Sequence, residues 1–416
     1  MLLKISTEEN LKISQSNNLI LEKVIKALLY FAVLLATFPI PKQLYIHVVN
    51  ASVLSLVLIS NFINKRVKFK DAFNSYTCIL LVWLLMSAIS VLYAESKILS
   101  IQRTMVIYTA ITYTVAINIY IQNRQILDKI IRIFIVSNLV HILISLFEIL
   151  TNKYLFTSHK DIIPSLIEKN NPISFFNNPN DLSIFLLFCS LLVLFLSDNI
   201  LARHAKQIIL VLNLFLMFKS KARIAILTLM IALASYIFFK IKSYKWRKAI
   251  AYFVYIAAIG FTLLFGIFLM QILDMESNDI SLMQRLNYMK NGLLYLKDTS
   301  GFGIGAGNIP YYFTNKPYYN VYGIFQMHNW WIETMVEYGV FFFALYFTWY
   351  LKSLFRSLQG MLKYFENEVY GFLTAFYVCF VIAAIAPSTI YPFIWVWILN
   401  ALASLLLEKN YRFTND

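Results

Sequence analysis

Apolar runs separated by short polar connectors repeat along this chain from residue 24 to residue 407. Many approach or exceed the roughly 18 residues that mark a helix able to cross a bilayer, and they recur over the whole length, so the pattern is that of a polytopic membrane protein rather than a protein with one anchor. Backbone groups find no water inside lipid, so the spans are expected to be helices. The short alternating segments of a β-barrel are absent. The expected fold is an all-α polytopic membrane protein, a single membrane domain over residues 1–416. It has about twelve transmembrane helices, near 24–38, 44–63, 76–93, 101–121, 130–150, 180–198, 206–220, 222–240, 249–272, 329–351, 369–387 and 389–407.

The polar segments set the orientation. Residues 1–23 read as a cytoplasmic tail, with no small-residue cleavage site after the first apolar run. The connectors 64–71, 122–132, 203–206, 240–248 and 352–363 are basic, and they alternate with weakly charged ones at 39–43, 94–100 and 386–390. Placing both termini in the cytoplasm puts every basic connector inside except KSKAR at 219–223. Two connectors on the outer side are long: 151–179 and 273–328. The second is expected to be a large extracytoplasmic loop between the ninth and tenth spans, too long for a simple link.

Composition agrees with the pattern. Hydrophobic residues make up 60% of the chain and charged ones 14%; soluble domains run at roughly 45–50% and about 25%. The net charge of +15 sits in short connectors, which argues for a membrane surface and against nucleic acid. Cys78, Cys189 and Cys379 lie singly in apolar runs and fit neither a metal site nor a disulfide framework.

Candidate chemistry collects on the outer side. His328 stands where the Gly- and Tyr-rich loop re-enters an apolar helix, in HNWWIETMVEYG at 328–339. An imidazole at a membrane boundary can act as a general base, or simply help Asn329 cap the helix. Trp330 and Trp331 suit an interfacial aromatic belt. Arg223 and Arg285, with Lys221, could clamp a pyrophosphate or only touch lipid headgroups. GFGIGAG at 301–307 lacks the Lys-Ser/Thr of a phosphate-binding loop, so Gly303, Gly305 and Gly307 more naturally allow a sharp turn against a substrate or a helix. NNPND at 177–181 reads as a helix start, with Asn178 as cap, Pro179 in the first turn and Asp181 at the dipole's positive end. His141 with Glu148, and Glu333 with Glu337, are pairs sharing a helix face within spans and are secondary candidates.

Taken in order, these motifs resemble the O-antigen ligase and polymerase superfamily. His328, Asn329 and Gly339 match its His, then Asn, Ser or Gln, nine residues, then Gly; Phe342 departs from the small or polar residue often found three positions later. Arg223 and Leu227 match its Arg-x-x-x-Leu motif. Arg285 ahead of Gly303, Gly305 and Gly307 matches its Arg before a Gly-x-Gly-x-Gly turn, and NPND at 178–181 resembles the start of its sixth span.

The resemblance implies a metal-independent, inverting membrane glycosyltransferase without cofactor, in a bacterial cytoplasmic membrane with its active site facing outward. The donor would be an undecaprenyl-pyrophosphate-linked glycan. His328 would be the catalytic base; Arg223, Arg285, Lys221, Asn329, Gly303, Gly305 and Gly307 would bind substrate. As a polymerase it would join lipid-linked repeat units into an O-antigen or capsule type polysaccharide. As a ligase it would pass the finished glycan to lipid A core or another acceptor. A chain-length regulator and a flippase are the implied partners. A competing class is a lipid-linked oligosaccharide flippase, for which two similar halves and charges along a central path are expected.

Overall fold

In a computed structural model, residues 21–39, 43–65, 67–156, 170–176, 178–241, 280–364, 367–385 and 387–409, with scattered positions between 243 and 260, are described. The expected ninth span and the tail before residue 21 fall mostly or wholly outside them. Among the described residues the fold is helical: α1 (21–36), α2 (Gln43–Ile63), α3 (Phe69–Ala72), α4 (Ser75–Tyr93), α5 (Lys97–Tyr120), α6 (Arg124–Thr151), α7 (Pro179–Leu196), α8 (Arg203–Lys219), α9 (Arg223–Lys240), α10 (Ile280–Asp298), α11 (Ile309–Asn315), α12 (Trp330–Lys363), α13 (Glu368–Ala383) and α14 (Ile394–Glu408).

By length and composition α2, α4, α6, α7 and α9 can each cross a membrane. Four of them turn large apolar side chains outward, as a lipid-facing surface requires: Leu56, Leu92, Leu150 and Ile237 are 69%, 80%, 83% and 66% exposed. α7 differs, because nearly its whole surface is enclosed by neighbouring helices. At the centre Trp83 is fully buried, and its ring meets Trp330, Tyr338, Phe342, Tyr346, Tyr391 and Trp397 at centroid distances of 4.9–6.0 Å.

Polar contacts tie the helix ends into two levels. At one level Ser75 N–H donates to Glu408, Arg124 to the Leu196 carbonyl (2.8 Å), and Lys409 to the Asn118 carbonyl (2.8 Å). At the other, Ala306 N–H donates to Ser90 (3.1 Å), Ser96 N–H to Asn308 (2.8 Å), and Trp330 N–H to the Ala384 carbonyl (3.0 Å). The second level carries His328 and is called here the His328 end. The basic connectors around 64–71, 122–132, 203–206 and 352–363 lie at or near the far end.

α10 and α11 form a cap at the His328 end with its own small core, in which Leu286, Tyr288, Met289, Tyr295, Phe313 and Val336 are buried together. The apolar face of α10 is covered by α12 and the cap.

Candidate active site

α12 begins with a cap and is soon broken. The Asn329 side chain accepts hydrogen bonds from Trp331 N–H (3.1 Å) and Ile332 N–H (3.2 Å), which settles two of the donors that a helix start leaves unpaired. Ten residues after Asn329, Gly339 adopts φ 85° and ψ 167°, a conformation essentially reserved for glycine. Residues 330–338 are therefore a short helix of their own, set off from the long run that follows.

The glycine-rich loop repairs the break. Ile304 N–H donates to the Val336 carbonyl (3.0 Å), Gly305 N–H to the Glu337 carbonyl (3.1 Å), and Val340 N–H to the Gly301 carbonyl (2.9 Å). These bonds replace ladder partners that Gly339 interrupts, a requirement for backbone that no water reaches. The approach leaves no room for side chains. A Cβ on Gly303 would lie 2.6 Å from the Gly339 nitrogen, one on Gly305 2.8 Å from the Ala94 Cβ, and one on Gly307 2.7 Å from the Leu99 carbonyl oxygen. Of the two uses open to these glycines, the close partner seen is a helix.

His328 sits just before this short helix with φ 53°, an uncommon left-handed conformation for a side-chain-bearing residue. Its N–H donates to the Ser388 carbonyl (3.1 Å). Ser388 is itself held from α7: its N–H donates to Asp181 (3.2 Å), and its hydroxyl accepts from Asn178 (3.1 Å). The Asn178-Pro179-Asn180-Asp181 start thus does more than cap α7, for it fixes the strap that positions His328.

The imidazole stacks on Tyr288 (5.9 Å, 25°), and its Nδ1 is enclosed without a hydrogen-bond partner among the described residues. Burial, and after it the positive charge of Arg285, push His328 down from 6.5 to about 4, so the ring is neutral at neutral pH. Arg285 is partly buried, and no carboxylate among the described residues pairs with it. The structure therefore brings together a neutral imidazole and an uncompensated guanidinium.

Arg223 and Lys221 are placed differently. Lys221, at φ 54°, ends α8 with its N–H on the Phe218 carbonyl (3.0 Å), and Arg223 opens α9 one residue beyond the turn. Both side chains are exposed. α9 runs antiparallel to α13, since Cys379 meets the Thr228 carbonyl while Gly371 packs on Phe239. That register brings Arg223 level with Ala383 and Ala384, at the His328 end. No contact joins it to His328 or Arg285 among the described residues.

Beneath the short helix lies a buried charge network that sequence reading found only in part. Arg103 of α5 donates through Nη2 to Glu333 (3.1 Å) and to Glu337 (3.0 Å), and its guanidinium lies 3.5 Å from the centroid of the Tyr391 ring. Thr389 donates to the same Glu333 oxygen (2.7 Å). The network joins α5, the short helix and the 384–391 strap. The two glutamates were visible as an i, i+4 pair, whereas Arg103 was not singled out; a lone arginine near the start of an apolar run was the available signal. His141 and Glu148 prove to be anchors: His141 contacts Ser174 (2.9 Å) and the Thr37 carbonyl (2.8 Å), while Glu148 accepts from Ile173 and Ser174 N–H (2.8 Å each).

Residues 208–347, which hold Arg223, Arg285, the glycine loop, His328 and Gly339, match the family described as O-antigen ligase. The chain is also similar to the teichuronic acid biosynthesis protein TuaE of Bacillus subtilis (strain 168), at 25% identity over 341 residues covering 77% of this chain and 69% of that protein. The apolar helices make this a multi-pass membrane protein, and its similarities are to the O-antigen ligase family over residues 208–347 and to a teichuronic acid biosynthesis protein over most of its length.

Proposed function

We propose that the chain is a membrane glycosyltransferase that polymerises undecaprenyl-pyrophosphate-linked repeat units into a surface polysaccharide. The observation that carries this reading is the neutral His328 imidazole, placed just before a capped and broken helix, beside the Arg285 guanidinium of α10, which has no carboxylate partner among the described residues. A neutral imidazole accepts a proton; an arginine with no carboxylate partner attracts phosphate.

In the proposed step an acceptor sugar hydroxyl attacks the anomeric carbon of the donor glycan. The bond from that carbon to the pyrophosphate oxygen breaks, and the electron pair leaves with the lipid pyrophosphate. The hydroxyl proton passes to His328. Arg285, with Arg223 and Lys221 arriving from the α8–α9 turn, would stabilise the charge that builds on the leaving group. Direct displacement inverts the anomeric configuration and asks for no metal. Asn329 acts by fixing the start of the short helix, and Gly303, Gly305 and Gly307 set the path of the loop that roofs it. On this reading the His328 end faces the outside of a bacterial cytoplasmic membrane, and a flippase and a chain-length regulator work alongside. The tyrosine-rich cap, with Tyr318, Tyr319 and Tyr322 exposed, suits sugar stacking and favours polymerase over ligase.

The test is surface-glycan length in cells carrying His328→Ala, with membrane abundance checked and a null strain alongside. A polymerase gives single repeat units in both strains. Full-length glycan retained on its lipid carrier identifies a ligase instead. Wild-type glycan from the variant removes His328 from the chemistry and favours a flippase.

A further inference from the structure

At the far end of the molecule α12, α13 and α14 line an open cavity of about 260 Å³, bordered by Arg356, Gln359, Lys363, Tyr370 and Glu408 among others. Arg356, Gln359 and Lys363 stand at i, i+3 and i+7 of α12 and so share a face. Gly360 lies between them, and a Cβ there would fall 2.0 Å from the Tyr370 ring, so the missing side chain lets α13 close the back of the cavity. Glu408, the carboxylate in the lining, is already engaged by Ser75 through its N–H (2.9 Å) and its hydroxyl. Arg356 and Lys363 have no carboxylate partner among the described residues; Lys363 only approaches the Tyr364 ring, at 5.2 Å.

The position matters as much as the lining. From Gly339 the continuous part of α12 covers 24 residues to Lys363, about 36 Å at 1.5 Å per residue, somewhat more than the roughly 30 Å hydrocarbon layer. The cavity therefore sits where headgroups of the leaflet opposite His328 lie. Scattered basic residues at that level need only the membrane's orientation rule to explain them. Two cations without a carboxylate partner among the described residues and an amide converging on a concave wall, with the one lining carboxylate held by another helix, go further.

We infer that this cavity is a binding site for a phosphate-bearing anion, supplied by an anionic phospholipid headgroup or by a soluble phosphate. The inference is independent of the proposed glycosyl transfer.

The experiment uses the full-length protein in a neutral detergent. Lipid adducts are read by native mass spectrometry with phosphatidylglycerol or phosphatidylcholine added, and melting is read with and without inorganic phosphate. The wild type, R356Q/K363Q and R356K/K363R are compared; the altered side chains are exposed, and melting without ligand checks that each variant folds. Phosphatidylglycerol is expected to bind at least about tenfold more tightly than phosphatidylcholine, with the preference lost in R356Q/K363Q and kept in R356K/K363R. Stabilisation by inorganic phosphate alone, lost in the same variant, would identify a soluble source for the same site. Equal retention of both lipids without any phosphate effect, or a preference unchanged in R356Q/K363Q, overturns the inference. If R356Q/K363Q does not fold, phosphate competition against phosphatidylglycerol on wild type and R356K/K363R decides: the site predicts displacement, and no displacement overturns it.

Discussion

A histidine is a useful base near neutral pH only if it is unprotonated, and burial and the arginine neighbour keep His328 in that state, as the proposed reaction requires. The sign of the pH effect follows. Protonation inactivates the base, so activity should be flat around neutrality and fall on acidification, with its acid limb below the ordinary histidine value of about 6.5. Arg285→Gln removes one of the two causes of depression, so the limb should move to higher pH while the apparent KM for donor rises. A pH–rate profile of both proteins checks this; an unshifted limb in a variant with measurable activity contradicts the pairing. The same shift links folding to protons. The unfolded chain binds the His328 proton more tightly, so its contribution to stability declines as pH falls below about 6.5 and levels off below about 4.

At the scale of elements, the site rests on a helix that is meant to break. Gly339→Ala would place a Cβ 2.6 Å from the Gly301 and Phe302 carbonyl oxygens in a backbone conformation alanine avoids. A loss of about 1–3 kcal/mol or more is expected from the backbone conformation alone, measurable as a lower melting temperature of the purified protein, with activity falling alongside. The Arg103 network gives a sharper test. Arg103→Gln leaves two carboxylates buried without their cation, and removing one partner of such a group costs about 3–5 kcal/mol. The triple change R103Q/E333Q/E337Q removes both signs of charge and should melt higher than Arg103→Gln alone. If the single variant is the more stable, the network is not what holds the short helix to α5. Much of this element was legible in sequence: Asn329, nine residues and Gly339 are local, and so is Asn178-Pro179-Asn180-Asp181. The ion pair was not, because Arg103 and Glu333 are 230 positions apart and only folding brings them together. The connector 386–390 reads in sequence only as weakly charged for the same reason, since the value of Ser388 and Thr389 lies in what they hold.

Over the whole molecule, helix ends sort into a level rich in basic connectors and a level that carries His328, the glycine loop and Arg223. Alternating charge along the chain made this readable, because lipid enforces both the helices and the side on which lysine and arginine stay. The KSKAR turn was the exception in sequence. In the fold it lies at the His328 end, where cations would serve a pyrophosphate. The cap was harder to foresee: α10 buries its apolar face against α12, and amphipathic periodicity alone cannot distinguish a protein surface from a membrane surface. The most direct test of the central claim is glycan transfer by the purified protein in liposomes, given a labelled lipid-pyrophosphate-linked repeat unit as donor and acceptor. Wild type should yield a ladder of longer lipid-linked glycans with inverted linkages. His328→Ala, folded to the same melting temperature, should fall by about 10²–10⁴-fold, the usual span for losing a general base. A ladder from His328→Ala at the wild-type rate, or new linkages that retain the donor's anomeric configuration, would contradict the account.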